Sequence, residues 1–131
     1  MSHSRPPTVD PHASARWVQL AAHTGSRASP WLHEEVARRM EERLEWIVKK
    51  PARWLNWMPL RGGLQAHALL QKRYAISECF VHETPAESAR VAHKLIAPKW
   101  WQPAYWTRPR PQFALPSKPV EMLWANMVLH H

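Results

Sequence analysis

Cysteine is almost missing from this chain. One Cys in 131 residues excludes an intramolecular disulfide and a Cys-based zinc site, and it fits a reducing cytosol. Glycine is scarce as well. Three residues are too few for a Gly-rich all-β barrel or for flexible linkers. Long apolar runs are absent: none approaches the 18 residues that a membrane span needs. The N-terminus is polar and Pro-rich without an apolar h-region, so it offers no secretory signal. These absences predict a cytoplasmic protein that does not enter a membrane. Acidic residues are the minority, 10 against 18 Lys and Arg, for a formal net charge of +8. The surplus is spread along the chain rather than gathered in one arm. A basic balance favours encounter with acidic partners or anionic ligands. Without a concentrated basic stripe, it does not predict nucleic-acid binding.

What is present is apolar and aromatic. Hydrophobic residues make up 45%, with 9 Trp and 13 Pro. That supports one domain with a real core. Residues 1–28 mix Ser, Pro, His and Arg with little periodicity and read as a mobile tail. A short helix over 15–22 within it would bury Trp17, Val18 and Leu20. Ser29 can cap a helix, and Pro30 suits its first position. Leu32, Val36, Met40, Leu44 and Ile47 then share one helical face. Charges from Glu34 to Glu45 read as a solvated opposite face. Lys49 and Lys50 suit the negative end of the helix dipole, and Pro51 stops the run.

Residues 52–58 (ARWLNWM) read as a strand, 59–63 (PLRGG) as a turn, and 64–74 as a helix with Ala66, Leu69, Leu70 and Tyr74 inward. Residues 76–83 (ISECFVHE) read as a second strand. Thr84-Pro85-Ala86-Glu87 has the pattern of a capping box, opening a helix to about residue 97. Residues 120–129 (VEMLWANMVL) read as a buried strand. Strands alternating with helices of this length imply parallel βαβ units, with 52–58 between the other two strands.

The segment 98–119 holds six prolines, four basic residues and no acidic one, with Trp100, Trp101, Tyr105, Trp106 and Phe113. Six prolines exclude a regular helix through the segment and a central strand. The simpler expectation is that these aromatics pack the loop onto the sheet edge. The alternative is a basic, Trp-rich contact surface. Cys79 lies in an apolar strand and reads as an inert core residue. His130 and His131 cannot both face one metal from a strand, and the other histidines show no i, i+4 pair, so no metal site is expected. No nucleophile elbow or general base is visible.

In a doubly wound sheet the ligand sits beyond the carboxyl ends of the strands. Here that place is the turn after Met58. Glu83 ends the next strand, where an acid can accept hydrogen bonds from ribose hydroxyls. The amphipathic helix VARRMEERLEWI before the first strand, and above all the run EMLWANMVLHH at 121–131, resemble a class I S-adenosylmethionine-dependent methyltransferase. The branch resembled is the one related to the biotin-synthesis malonyl-carrier-protein O-methyltransferases. The resemblance covers about residues 31–131. It implies an α/β fold: a partial Rossmann-like sheet of about four mostly parallel strands with flanking helices, in the order 3-2-1-4. The third strand would be short, near 112–115. Residues 29–131 would form the N-terminal half of such a domain.

The resemblance further implies S-adenosylmethionine as cofactor, bound by Gly62, Glu83 and Asn126, with Glu83 on the ribose. An acyl-carrier or other acidic protein is the partner it suggests. The family's first motif is an acid followed by three glycines at alternate positions. Laid on WLNWMPLRGG, it falls on Asn56, Met58, Leu60 and Gly62, and only Gly62 matches. Met58 and Leu60 put side chains where the cofactor must pass, and Pro59 removes an N–H. The resemblance implies a methyltransferase-like protein, and these departures predict that it binds the cofactor weakly or not at all. A non-catalytic scaffold with a basic Trp-rich surface, or a single-stranded nucleic-acid binder, are the alternatives.

Overall fold

The computed structural model describes residues 10–23 and 29–129. The rest of the expected N-terminal tail (1–9 and 24–28), with His130 and His131, lies outside the described residues. Helix α1 spans Pro11–His23 and contains the expected 15–22 segment. Trp17 and Leu20, expected to be buried, are 64% and 58% exposed. The side chain of Val18 is outside the description.

The centre of the fold is a three-stranded parallel sheet. Strand β1 is Arg53–Trp57, β2 is Glu78–His82 and β3 is Met122–Trp124, in the order β2-β1-β3. The expected central place of 52–58 is what the sheet adopts. Trp54 pairs with Cys79 and Met122, and Asn56 with Val81 and Trp124. In-register partners point to one side, so these six side chains share a face. Trp54, Cys79, Val81 and Trp124 form the main core with Ala37, Ala66, Leu70 and Tyr74. Burial in the middle of β1 and β2 explains the apolar residues at the centre of each, Trp54 and Leu55 in one and Cys79, Phe80 and Val81 in the other.

Two departures concern the sheet. A fourth strand is not present among the described residues. Gln112 makes a single parallel bridge to Phe80, on the free side of β2, where the third strand was expected. Pro111 and Pro116 flank this stretch and remove ladder donors. The expected strand over 120–129 is a ladder of three residues only. Beyond Trp124 the chain turns, with Met127 at φ +54°, and Asn126 spends its side chain on other segments.

The helices show a similar pattern. Helix α2 is Trp31–Arg43, continued by a 3-10 turn at Leu44–Trp46. Lys49 and Lys50 lie beyond it. Its buried positions are Ala37 and Glu41, while Leu32 and Ile47 are 46% and 55% exposed. Met40 and Leu44 of the expected face do pack against the core, beside Ala37, while Leu32 at the helix start and Ile47 beyond its end stay outside. Glu41 turns inward because Arg73 meets it at 2.5 Å. Glu35, Arg38, Arg39 and Glu42 form the solvated charged network expected of the outer face. Hydrogen bonds from Arg38 and then Arg39 hold the Glu35 carboxyl down at about 2.

The 59–63 turn is a single helical turn, α3 (Pro59–Gly62), followed by α4 (Leu64–Arg73). Helix α4 packs on α2. Its inward residues include His67 in place of Leu69, which is 38% exposed. Helix α5 spans Ala86–Ile96, with Pro85 as N-cap and no side-chain cap hydrogen bond, so the expected capping box does not form. The Thr84–Pro85 peptide bond is cis. A short α6 (Pro103–Thr107) interrupts the Pro-rich loop. The loop aromatics do not all pack as expected. Trp100, Trp101 and Trp106 are 69%, 65% and 73% exposed, although Phe113 packs against the core. With Arg110 stacked on Tyr105 at 3.9 Å and Trp106 Nε1 donating to the Trp100 carbonyl, this segment folds largely on itself. No helix among the described residues is long and apolar enough to cross a membrane.

Candidate functional site

The three residues assigned to the cofactor by resemblance come together. Gly62 ends α3, Glu83 follows β2 and Asn126 follows β3, all at the carboxyl end of the sheet. Asn126 Nδ2 donates to the Gly62 carbonyl at 2.5 Å and to the His33 carbonyl at 2.8 Å. A Cβ at Gly62 would stand 3.2 Å from the Asn126 carbonyl oxygen, so the small residue permits this approach. Glu83 Oε2 accepts the Leu60 N–H at 3.1 Å. Burial pushes the Glu83 carboxyl up to about 7, against the backbone N–H groups of Leu60 and Thr84 and the Arg61 charge, which favour ionisation.

The first-strand turn enters through Met58, which adopts φ +55° and ψ 59°. This left-handed conformation suits glycine and costs an ordinary residue about 1–2 kcal/mol. Met58 is nevertheless 6% exposed, and its N–H is held by the His82 carbonyl at 2.7 Å. The backbone thus keeps a glycine-like geometry at a position where the sequence carries Met.

A ligand at this end would need free backbone donors. A complete accounting of the turn shows none from 60 to 65. Leu60 donates to Glu83. Arg61 and Gly62 donate to the Met58 carbonyl, and Gly63 to the Pro59 carbonyl. Leu64 donates to Ser29 Oγ and to Glu34 Oε1, and Gln65 to both Glu34 oxygens. The carbonyl side is engaged too. Ser29 Oγ donates to the Leu60 carbonyl at 2.8 Å, and His33 Nδ1 lies 2.7 Å from the Arg61 carbonyl. The carboxylate of Glu34 caps α4, whose own N-cap, Gly63, supplies no side chain. With its donors consumed and Met58 and Leu60 in the motif, the turn does not fit S-adenosylmethionine. No reaction step is derived through it.

Sequence reasoning found Gly62, Glu83 and Asn126 but missed Ser29, His33 and Glu34 as their neighbours. Ser29 carried a signal for capping, assigned to α2. It instead reaches across to the turn, and α2 has Pro30 as N-cap with no side-chain hydrogen bond. Glu34 looked like one more solvated charge. Behind the turn, Asn56 Nδ2 donates to His67 Nδ1 at 2.8 Å. The His67 ring is buried, its Nε2 has no hydrogen-bond partner, and desolvation pushes its pKa down to about 4. Cys79 is 3% exposed, and burial pushes its thiol up to about 12, so a reactive thiolate is not available there. Among the described residues no three His, Cys, Asp or Glu side chains gather where they could hold a metal. Compared with family models, with curated proteins and with solved structures, the chain matches none of them.

Proposed function

We propose that this chain is a non-catalytic, methyltransferase-like α/β domain. It is of the class I S-adenosylmethionine-dependent type and is related to the malonyl-carrier-protein O-methyltransferases of biotin synthesis. Its first-strand turn has closed upon its own side chains. The observation that carries this reading is the convergence of Gly62, Glu83 and Asn126, from three separate segments, on one turn. The left-handed Met58 supports it, because a glycine motif leaves that backbone shape behind when its glycine is replaced. The bridge of Gln112 beside β2 supports the strand order that the resemblance implies.

Calorimetric titration of the full chain with S-adenosylmethionine tests the reading. Each lost hydrogen bond to a charged ligand costs on the order of 1.5–3 kcal/mol, so two losses weaken binding ~100-fold or more. The native chain is expected to bind weakly or not at all. Met58→Gly with Leu60→Gly is expected to gain at least ~10-fold in affinity, and Glu83→Ala to remove the gain. Low-micromolar binding by the native chain refutes the closed turn. No gain in a folded double-glycine variant refutes the Met58 and Leu60 side chains as the block and leaves it to the donors held by Glu83, Ser29 and Glu34.

A second reading rests on a separate observation. The exposed Trp100, Trp101 and Trp106 stand in a segment with Lys99, Arg108 and Arg110 and without acids. Such a surface suits an acidic partner protein, of which an acyl-carrier domain is one kind. Binding to such a domain that weakens with salt supports this reading, and equal binding of a single-stranded oligonucleotide counts against it.

A further inference from the structure

The largest clue outside the Glu83 end lies at the opposite end of the sheet. A cavity of about 260 Å³ opens where the strands begin. Trp54 and Cys79, register partners near the starts of β1 and β2, stand in its wall. Tyr74 from the end of α4 and Ile96 from the end of α5 add apolar surface. The Pro-rich segment closes the remaining side and brings Lys99 and Arg108 to it. No carboxylate lines this cavity. Among the described residues neither cation has a carboxylate partner; Lys99 Nζ only donates to the Lys94 carbonyl at 3.4 Å. Burial pushes up the pKa of the Cys79 thiol and of the Tyr74 phenol, so both stay neutral at pH 7. Every formal charge on the lining is therefore positive, while the rest of the wall is mixed: Leu95, Ile96 and the prolines are apolar, and Gln71, Ser77 and Gln102 are polar.

We propose that this cavity binds a small amphipathic monoanion, with its acid group on Lys99 and Arg108 and its apolar body against Leu95 and Ile96, over the buried Trp54 and Tyr74. Three physical arguments carry the assignment. The volume falls just below the ~300–1,000 Å³ of drug-sized pockets, so the occupant is small. Two unpaired cations select an anion, and Arg108 offers a planar fork suited to a carboxylate. The apolar wall selects against a fully hydrated ion, because burying apolar surface contributes only when the ligand has some. The proposal also gives the Pro-rich segment a task. Pro98, Pro109 and Pro111 hold the backbone at the rim, and fixed φ angles reduce the entropy lost on ordering it. The site is separate from the turn that Glu83 closes, and the assignment stands independently of the proposed function.

The test uses the full chain and octanoate as probe, with octanol and inorganic phosphate as controls. Nine indole N–H resonances are available, and triple-resonance assignment identifies that of Trp54 without altering the core. Octanoate is expected to shift the Trp54 resonance saturably. Lys99→Gln with Arg108→Gln, both at exposed positions, is expected to weaken binding at least ~10-fold. Glu83→Gln, at the other end of the sheet, is expected to leave it unchanged. Octanol and phosphate are each expected to bind at least ~10-fold more weakly than octanoate. No saturable shift at Trp54 overturns the proposal. So does octanol binding as tightly as octanoate, which removes the role of charge. Phosphate binding as tightly as octanoate removes the role of the apolar wall and also overturns it.

Discussion

Two buried titratable groups should make the stability of this fold nearly independent of pH between 7 and 5, by opposing one another. His67 is 1% exposed, and burial lowers its pKa from 6.5 to about 4. In that interval the unfolded chain takes up a proton at His67 that the folded chain refuses. Acidification therefore favours unfolding, and linkage over these two pKa values gives a loss of about 2 kcal/mol from pH 7 to pH 5. Below about pH 4 the folded form protonates as well, and the loss grows no further. Glu83 has the opposite sign. Burial raises its pKa from 4.5 to about 7, so in the same interval the folded chain takes up the proton first. Acidification here favours folding, by about 2 kcal/mol from pH 7 to pH 5. Urea unfolding of the native chain at pH 7, 6 and 5 is therefore expected to give a nearly flat profile. Glu83→Gln should expose the His67 loss and fall by about 2 kcal/mol over the interval, and His67→Gln should expose the Glu83 gain and rise by a similar amount. The readout is the slope, so a constant loss from the substitution does not disturb it. The reasoning fails if Glu83→Gln leaves a flat profile, or if both variants change slope in the same direction.

Two further outcomes follow from single contacts. Glu41→Ala removes the partner of a half-buried guanidinium at 2.5 Å; Arg73 can turn partly to water, so the expected loss in urea unfolding is roughly 2 kcal/mol rather than the full cost of a buried orphan charge, and a loss within error of zero contradicts an inward-facing Glu41. Gly63→Ala places a Cβ 3.1 Å from Ala37 Cβ and Glu34 Oε2 at φ +132°; thermal unfolding should show a loss of about 2 kcal/mol or more, while Gly62→Ala, with no left-handed strain, should lose less.

The sheet was legible because β1 and β2 are buried through their middles. Residues 52–58 are mostly apolar, and 76–83 alternate in part around Ile76, Phe80 and Val81, which is the mark of strands buried through their middles. The third strand misled by the same signal. Residues 125–129 are apolar apart from Asn126, and Val128 is buried, yet they are a turn. Burial selects apolar residues whether or not the backbone forms a ladder, so composition overstated β3. Helix α2 misled for a related reason. Its i, i+4 stripe of large residues predicts an inward face, but Ala37 is the residue that close helix packing tolerates. Leu32 and Ile47 are left outside. Met40 and Leu44 of the stripe do pack on the core, and the small Ala37 beside them, which a hydrophobic pattern weighs least, is the most deeply buried.

The site was legible in its members and not in its state. Glu83 could be placed at the carboxyl end of the sheet because it ends a strand there, and Gly62 and Asn126 joined it through the family resemblance. Whether that end is open depends on side chains far away in sequence. Ser29 and Glu34 precede the turn by some thirty residues, and they take the Leu64 and Gln65 donors. No local window relates a serine before α2 to the start of α4. The capping rules correctly select Ser and Glu as residues that satisfy helix N-termini, but they do not say which N-terminus. Here the shorter reach lost. Pro30 has no N–H and needs nothing from Ser29, so the hydroxyl was free to serve α4, whose N-cap is a glycine with no side chain to offer. A helix start that cannot cap itself recruits polar groups from the element packed on it. Because α2 is that element, its Glu34 turns from a solvated charge into a cap and leaves the first-strand turn without a donor for a ligand.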